Sequence, residues 1–165
     1  MAQNVKFEIE LYEPMRLWLK RYLEGIYKDA EIETYDSHSQ NLEVFLEQAG
    51  ILDDYPQTIG LAIQIDVLAI IRRRGRKEIA FIEAKKTQLN LHDLGQLWAY
   101  CKLCSPAVAF LLSSAGLGSL NKIFVNLQRM DMLNFGDGKM IRMMQIAKWN
   151  IEQGSIDYGT LIPKI

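Results

Sequence analysis

Two acidic residues and a lysine within one segment have the types and spacing needed for metal-assisted chemistry. The segment, residues 61–86, reads LAIQIDVLAIIRRRGRKEIAFIEAKK and is predicted to form two apolar strands joined by a basic turn. Asp66 lies in the first strand, and Glu83 lies near the end of the second, two residues before Lys85. Burying a charged side chain is costly without compensation, so the two carboxylates suggest a divalent cation, provided that the strand register sets Asp66 beside Glu83.

Carboxylates arranged in this way are suited to the hydrolysis of a phosphodiester. The reaction needs a nucleophilic water near neutral pH and a positive charge on the phosphate, and a divalent cation supplies both. Mg²⁺ prefers oxygen ligands, usually one or two carboxylates together with waters and phosphate oxygens. We therefore predict Asp66, Glu83 and the carbonyl of Ala84 as ligands, and Lys85 as the group that holds the water or stabilises developing charge. The alternative is structural, with Asp66 capping a turn and Glu83 and Lys85 at a solvated strand end.

The remaining sequence predicts the elements that position these residues. Helical spacing of apolar residues predicts helices over residues 15–26, 42–50, 91–104 and 120–130. Strands are predicted at residues 30–35, in the two halves of the central hairpin, and at 107–112 and 140–149, with 5–11 as a short strand or lead-in. The order of helix, three strands, helix, strand, helix, strand predicts one α/β domain over residues 1–165, with a mixed central sheet flanked by helices.

The acids and the lysine also carry a resemblance to a known family. Asp66, followed at the end of the next strand by Glu83, Ala84 and Lys85, resembles the motif of the PD-(D/E)XK nuclease superfamily. Ile65 stands where that motif has its proline. The resemblance covers most of the chain and implies a restriction endonuclease-like core that cleaves DNA with Mg²⁺ or Mn²⁺, in restriction, repair or recombination.

Further site residues follow from the same resemblance. Gln96 and Tyr100 lie four residues apart, on one face of the predicted helix at 91–104, and are similar to the Gln-x-x-x-Tyr motif of RecB-like members. Gln96 is thereby expected to support the site, and Tyr100 to contact DNA. The family's first helix carries an acid that binds a second metal or orients water. Glu13 is the first choice for this acid because it opens the helix, with Glu8, Glu10 and Glu24 as alternatives.

The basic turn of the hairpin is a second candidate feature. Its arginines form a candidate clamp for DNA phosphates, and Lys86 is expected to contact nucleic acid as well. The alternative is a solvated hairpin tip, and the sequence favours neither. The arginines concerned are Arg72, Arg73, Arg74 and Arg76.

Composition limits the remaining possibilities. The net charge of −1 gives no global argument for nucleic-acid binding and leaves open a second function, a catalytically inactive nuclease-fold subunit that binds DNA or a protein. No apolar run approaches the roughly 20 residues of a membrane span, and no export signal is visible. Cys101 and Cys104 are interpreted as core thiols, and a cytoplasmic protein is expected. Because one active site cuts one strand, a homodimer is possible.

Overall fold

The computed structural model describes residues 4–164, and within them the strands follow the chain order across one mixed sheet. The pairs β1–β2, β2–β3 and β5–β6 are antiparallel, whereas β3, β4 and β5 run parallel. The sheet and its flanking helices confirm the mixed α/β class. The strands are β1 (Glu31–Asp36), β2 (Val67–Arg73), β3 (Arg76–Lys85), β4 (Val108–Ser113), β5 (Gln145–Asn150) and β6 (Ser155–Ile156).

In the described part of the chain, three α-helices connect and cover these strands: α1 (Tyr12–Ile26), α2 (Leu42–Gln48) and α3 (Leu91–Cys104). α3 begins with a reciprocal capping box. The side chain of Asn90 accepts a hydrogen bond from the Asp93 amide at 3.0 Å, and Asp93 Oδ2 accepts one from the Asn90 amide at 3.1 Å. No helix within residues 4–164 combines the length and the apolar character that crossing a bilayer requires.

Apolar residues cover both faces of the sheet, which explains why β2 and β3 are almost continuously apolar. Side chains alternate across a strand, so Ile79 and Phe81 pack into one core with α3. Ala80 and Ile82 pack into the opposite core against α1. Cys101 and Cys104 are buried free thiols in the first of these cores. The central hairpin is therefore held from both sides.

Residues 61–66 do not form the predicted first part of the strand, because their backbone carbonyls accept hydrogen bonds from residues outside the sheet. The Leu42 amide donates to the Ile63 carbonyl at 2.7 Å, and the Ser37 amide donates to the Asp66 carbonyl at 3.0 Å. Ala62 also adopts a positive φ of 52°, which is incompatible with a regular strand. β2 therefore begins at Val67, and Asp66 lies just before the strand rather than inside it.

Three other element predictions are also corrected. Residues 5–11 contain a short 3₁₀ segment, Glu8–Leu11, in place of a strand. The helix predicted over residues 120–130 is reduced to a five-residue π-helical segment, Lys122–Asn126, and the chain then takes a positive φ at Gln128. The last predicted strand begins at Gln145, five residues later than expected, and the short β6 was not predicted.

Burial of β2 predicts a difference between two identical substitutions. Ile70 on β2 is fully buried, whereas Ile141 is 72% exposed. We expect Ile70→Ala to lower the free energy of unfolding by about 2–5 kcal/mol because it leaves a cavity between packed layers. Ile141→Ala serves as the control and should change stability by about 0.5 kcal/mol or less. Urea denaturation followed by circular dichroism measures both, and equal effects would contradict this assignment of the core.

Candidate metal centre

Asp66 and Glu83 lie opposite each other at one end of the β2–β3 hairpin. Val67 pairs with Ile82, so continuing the antiparallel register outward by one residue sets Asp66 opposite Glu83. The amide of Ala84 donates a hydrogen bond to Asp66 Oδ2 at 2.8 Å, which ties the first acid to the second strand. The register required by the sequence argument is therefore the observed one.

Glu83 is the most buried charged group of this cluster, with 6% of its surface exposed. Burial, and then the negative charge of Asp66, raise the pKa of Glu83 to about 9. Lys85 is partly buried, and its Nζ lies 3.7 Å from Glu83 Oε1. Burial lowers the pKa of Lys85, but the carboxylates around it, chiefly Glu83 and Glu8 with Asp93, outweigh burial and raise it. The lysine is thus held in its charged form.

Of the acids considered for the third position, Glu8 approaches this end of the hairpin, whereas the first choice, Glu13, does not. Glu8 Oε2 accepts a hydrogen bond from the Lys86 amide at 3.1 Å, and its charge contributes to the raised pKa of both Glu83 and Lys85. Glu13 instead accepts a hydrogen bond from Arg16 Nε at 2.8 Å, and its side chain is 60% exposed. The hydrogen bond from Arg16 lowers the pKa of Glu13. The structure therefore brings one of the alternative acids to the centre.

Tyr12 lies beside the carboxylates and His38 packs against its ring, and neither residue is assigned to the site by the sequence. Tyr12 is buried, and its pKa is raised by burial and by the charges of Asp66, Glu8 and Glu83. Its ring contacts that of His38 at a centroid distance of 4.7 Å. Extending the helical stripe of α1 backward by three residues from Met15 would have found Tyr12, whereas no sequence signal marks His38.

Gln96 and Tyr100 form the pair expected on α3. Gln96 Nε2 lies 3.5 Å from the hydroxyl of Tyr100, so the two side chains share one face of the helix. Gln96 is exposed. Within residues 4–164, no hydrogen bond or ion pair joins either side chain to the carboxylates. Their contribution to a site stays a prediction.

The arginine turn lies at the opposite end of the hairpin from the carboxylates. β2 has seven residues, which separates Asp66 from Arg73 by about 23 Å at the usual rise of a strand. Arg72 Nε donates a hydrogen bond to Glu33 at 2.9 Å, and Arg74 Nε forms an ion pair with Asp29 Oδ2 at 2.9 Å. The guanidinium of Arg73 lies 4.5 Å from the ring centroid of Tyr27, and Arg76 is exposed.

Lys86 is the basic residue that does lie next to the centre, but its side chain is engaged. Its Nζ donates a hydrogen bond to the carbonyl of Lys6 at 2.9 Å. The basic residues predicted to bind nucleic acid are therefore divided between the two ends of the hairpin, and Lys86 alone among them accompanies Asp66 and Glu83.

The donor set of the centre fits a hard divalent cation. Asp66, Glu83 and Glu8 offer carboxylate oxygens, and Ala84 offers a backbone carbonyl, which are the ligand types that Mg²⁺ and Mn²⁺ prefer. Among the residues that the structure describes, no three Asp, Glu, His or Cys side chains converge into a complete cluster. Mg²⁺ sites commonly use only one or two carboxylates, so the set remains compatible with this ion. The single positive charge of Lys85 does not neutralise the neighbouring carboxylates, so a bound cation would stabilise them further.

The comparisons with known proteins assign no family to the chain. Comparison of the chain with protein-family models, with curated proteins and with solved structures finds no match. The chemistry of the centre must therefore be inferred from its own oxygen donors and from Lys85.

The raised pKa of Glu83 predicts how stability depends on pH. Between the ordinary value of 4.5 and about 9, the folded chain binds more protons than the unfolded chain. The free energy of unfolding of the metal-free protein should therefore fall as pH rises through this range, by at most about 1.4 kcal/mol per pH unit. Urea denaturation at pH 5–9 in the presence of a chelator measures the slope. Glu83→Gln should flatten it, and a slope unchanged by this substitution would exclude Glu83 as its source.

Proposed function

We propose that the protein is a metal-dependent nuclease that hydrolyses phosphodiester bonds of DNA. The observation that carries the proposal is the position of Asp66 opposite Glu83 at one end of the β2–β3 hairpin, with Lys85 Nζ 3.7 Å from Glu83. Two carboxylates and a lysine in this arrangement combine a cation site with a positive charge for a phosphate. The structural alternative of a solvated strand end is disfavoured by the burial of Glu83.

The order of the elements supports a restriction endonuclease-like core of the PD-(D/E)XK type. α1 precedes the antiparallel strands β1, β2 and β3, and α3 then connects β3 to the parallel strand β4. This is the layout that the sequence resemblance implies. Asp66 immediately precedes the second of these strands and Glu83 lies near the end of the third, which agrees with the positions of the acids that the resemblance implies.

Each residue of the centre has a proposed role. Asp66 and Glu83 hold the cation, the carbonyl of Ala84 adds an oxygen, and Glu8 takes the role that the sequence assigned to Glu13. When bound, Mg²⁺ or Mn²⁺ lowers the pKa of a water and neutralises charge on the phosphate. Lys85 stabilises the negative charge that develops on the phosphate, because the surrounding carboxylates keep its amine protonated.

DNA contacts outside the centre are proposed at both ends of the hairpin. Gln96 and Tyr100 lie on the helix that follows β3, and the arginine turn is about 23 Å from the acids. A duplex reaching from the centre to the turn spans about seven base pairs at its rise of about 3.4 Å. A single centre cuts one strand, so a double-strand break would use two copies of the chain.

Cleavage assays on matched variants test the proposal. We expect the unmutated protein to cleave plasmid or single-stranded DNA with Mg²⁺ or Mn²⁺. Asp66→Asn, Glu83→Gln and Lys85→Met should each lower the rate about 100-fold or more, because each removes a ligand or a charge needed in the transition state. Asp53→Asn changes an exposed acid away from the hairpin end and should leave the rate unchanged.

The outcomes of this assay separate the two candidate functions. Equal cleavage by the unmutated protein and by Asp66→Asn would indicate a contaminating nuclease and refute the proposal. DNA binding without cleavage, together with no metal binding by calorimetry, would instead favour a catalytically inactive DNA-binding subunit. The alternative also includes an inactive subunit that binds a protein, and the ion-paired Arg72 and Arg74 and the net charge of −1 agree with that form because they leave less positive charge for DNA phosphates.

The arginine turn predicts a measurable contribution to the salt dependence of DNA binding. Arg74 is 83% exposed, and Arg76 is exposed as well. We expect the double substitution of Arg74 and Arg76 by Gln to reduce the slope of log affinity against log salt by about one for each phosphate that the turn no longer neutralises. Lys139→Gln, an exposed residue of another turn, is the control. An unchanged slope would refute the phosphate-clamp role and indicate that the turn is only a solvated hairpin tip.

A further inference from the structure

The first residues that the structure describes cross the ends of two sheet strands at the carboxylate centre. We call residues 4–8 the N-terminal strap. The strap contacts the end of β3 through Lys86 and the residue after β4, Ser114. It ends at Glu8, whose carboxylate accepts a hydrogen bond from the amide of Lys86, the residue that follows Lys85. The placement of Glu8 therefore depends on what holds the strap.

Asn4 holds one end of the strap with its side-chain amide. Its Nδ2 donates a hydrogen bond to the Lys86 carbonyl at 2.8 Å, and its Oδ1 accepts one from the Ser114 hydroxyl at 2.6 Å. The amide of Ser114 in turn donates to the Lys85 carbonyl at 3.0 Å. The Asn4 side chain thus joins the strap to the backbone of Lys86 and to the side chain of Ser114, whose own amide is bonded to Lys85.

Lys86 holds the strap at its other end. Its side-chain amine donates to the carbonyl of Lys6 at 2.9 Å, and its backbone amide donates to the carboxylate of Glu8 at 3.1 Å. With the bond from Asn4, three groups of this one residue contact the strap. Glu8 is consequently fixed relative to Lys85, which is the neighbouring residue at the end of β3.

The contacts of Asn4 require an amide in particular. An asparagine side chain offers a donor and an acceptor at once, and the Lys86 carbonyl takes the donor while the Ser114 hydroxyl takes the acceptor. Alanine loses both bonds. Aspartate keeps the acceptor for Ser114 but places a second acceptor against the Lys86 carbonyl, where no hydrogen bond can form.

We propose that Asn4 is a positioning residue that acts through Glu8: it fixes the strap so that the Glu8 carboxylate stays beside the cation site of Asp66 and Glu83. The proposal rests on the proposed nuclease function for the identity of that site. It assigns Asn4 no contact with substrate or metal. Residues that orient ligands in this way typically change metal affinity or activity by about 10–100-fold when they are removed.

A double-mutant cycle tests this role. We expect Asn4→Ala to weaken binding of Mn²⁺ about 10-fold in calorimetry without DNA, and Asn4→Asp to weaken it similarly. In a Glu8→Gln background, Asn4→Ala should have no further effect, because the carboxylate that it positions is already gone. Asn121→Ala is the matched control, an exposed asparagine that makes no capping hydrogen bond, and should bind Mn²⁺ like the unmutated protein.

Hydrogen exchange of the Lys86 amide gives a second readout that needs no metal. This amide donates to Glu8, so loosening the strap should make it exchange faster in Asn4→Ala than in the unmutated protein. Amides in the middle of β3 should exchange at unchanged rates. Faster exchange throughout β3 would indicate general destabilisation and would refute a specific positioning role.

The possible failures are distinguishable. If Asn4→Ala binds Mn²⁺ as tightly as the unmutated protein and Asp66→Asn does not, the positioning role is refuted and the metal centre stands. If Asn4→Ala weakens binding equally with and without Glu8, Asn4 does not act through Glu8 and the proposal is again refuted. If the unmutated protein binds no Mn²⁺, both the metal centre and the positioning role are refuted.

Discussion

The register of the β2–β3 hairpin is the constraint on which the centre depends. The pairing of Val67 with Ile82 sets Asp66 opposite Glu83, and a slip of one residue would turn every side chain of one strand to the other face. Because both faces of the hairpin are buried, such a slip would move the side chains of each core into the opposite core and disrupt the close packing of both. The hydrophobic packing that stabilises the sheet therefore also holds two carboxylates together, and burial, followed by the charge of Asp66, raises the pKa of Glu83.

Much of the β2–β3 hairpin and of its acidic residues could be predicted from the sequence, because both follow from local residue patterns. The apolar runs mark the hairpin, and alternation along a strand puts Glu83 and Lys85 on one face. Asp66 was recognised from its apolar neighbours, although the strand begins one residue after it. The π-helical segment Lys122–Asn126 could not be predicted, because the apolar spacing favours a longer helix. The spacing does not indicate that the backbone changes direction at Gln128.

The third acid could not be selected from the sequence because helical position does not determine which neighbour a carboxylate meets. Glu13 has Arg16 three residues ahead of it on the same helix, and this local partner takes its carboxylate. Glu8 precedes the helix in a 3₁₀ segment, and its partner is Lys86, far away in the sequence. The arginine turn illustrates the same limit, since residues close in sequence to the acids lie a full strand length away from them.

The centre is assembled from contacts of very different range, and this has a consequence for folding. The bond between Asp66 and Ala84 spans 18 residues and closes when the hairpin forms, whereas the bond between Glu8 and Lys86 spans 78 residues. Long-range contacts carry a larger loop-closure entropy and slow folding. During synthesis, Asp66 and Glu83 can therefore come together once the hairpin has formed. Glu8 is synthesised first, but it can form its hydrogen bond only after Lys86 has been synthesised.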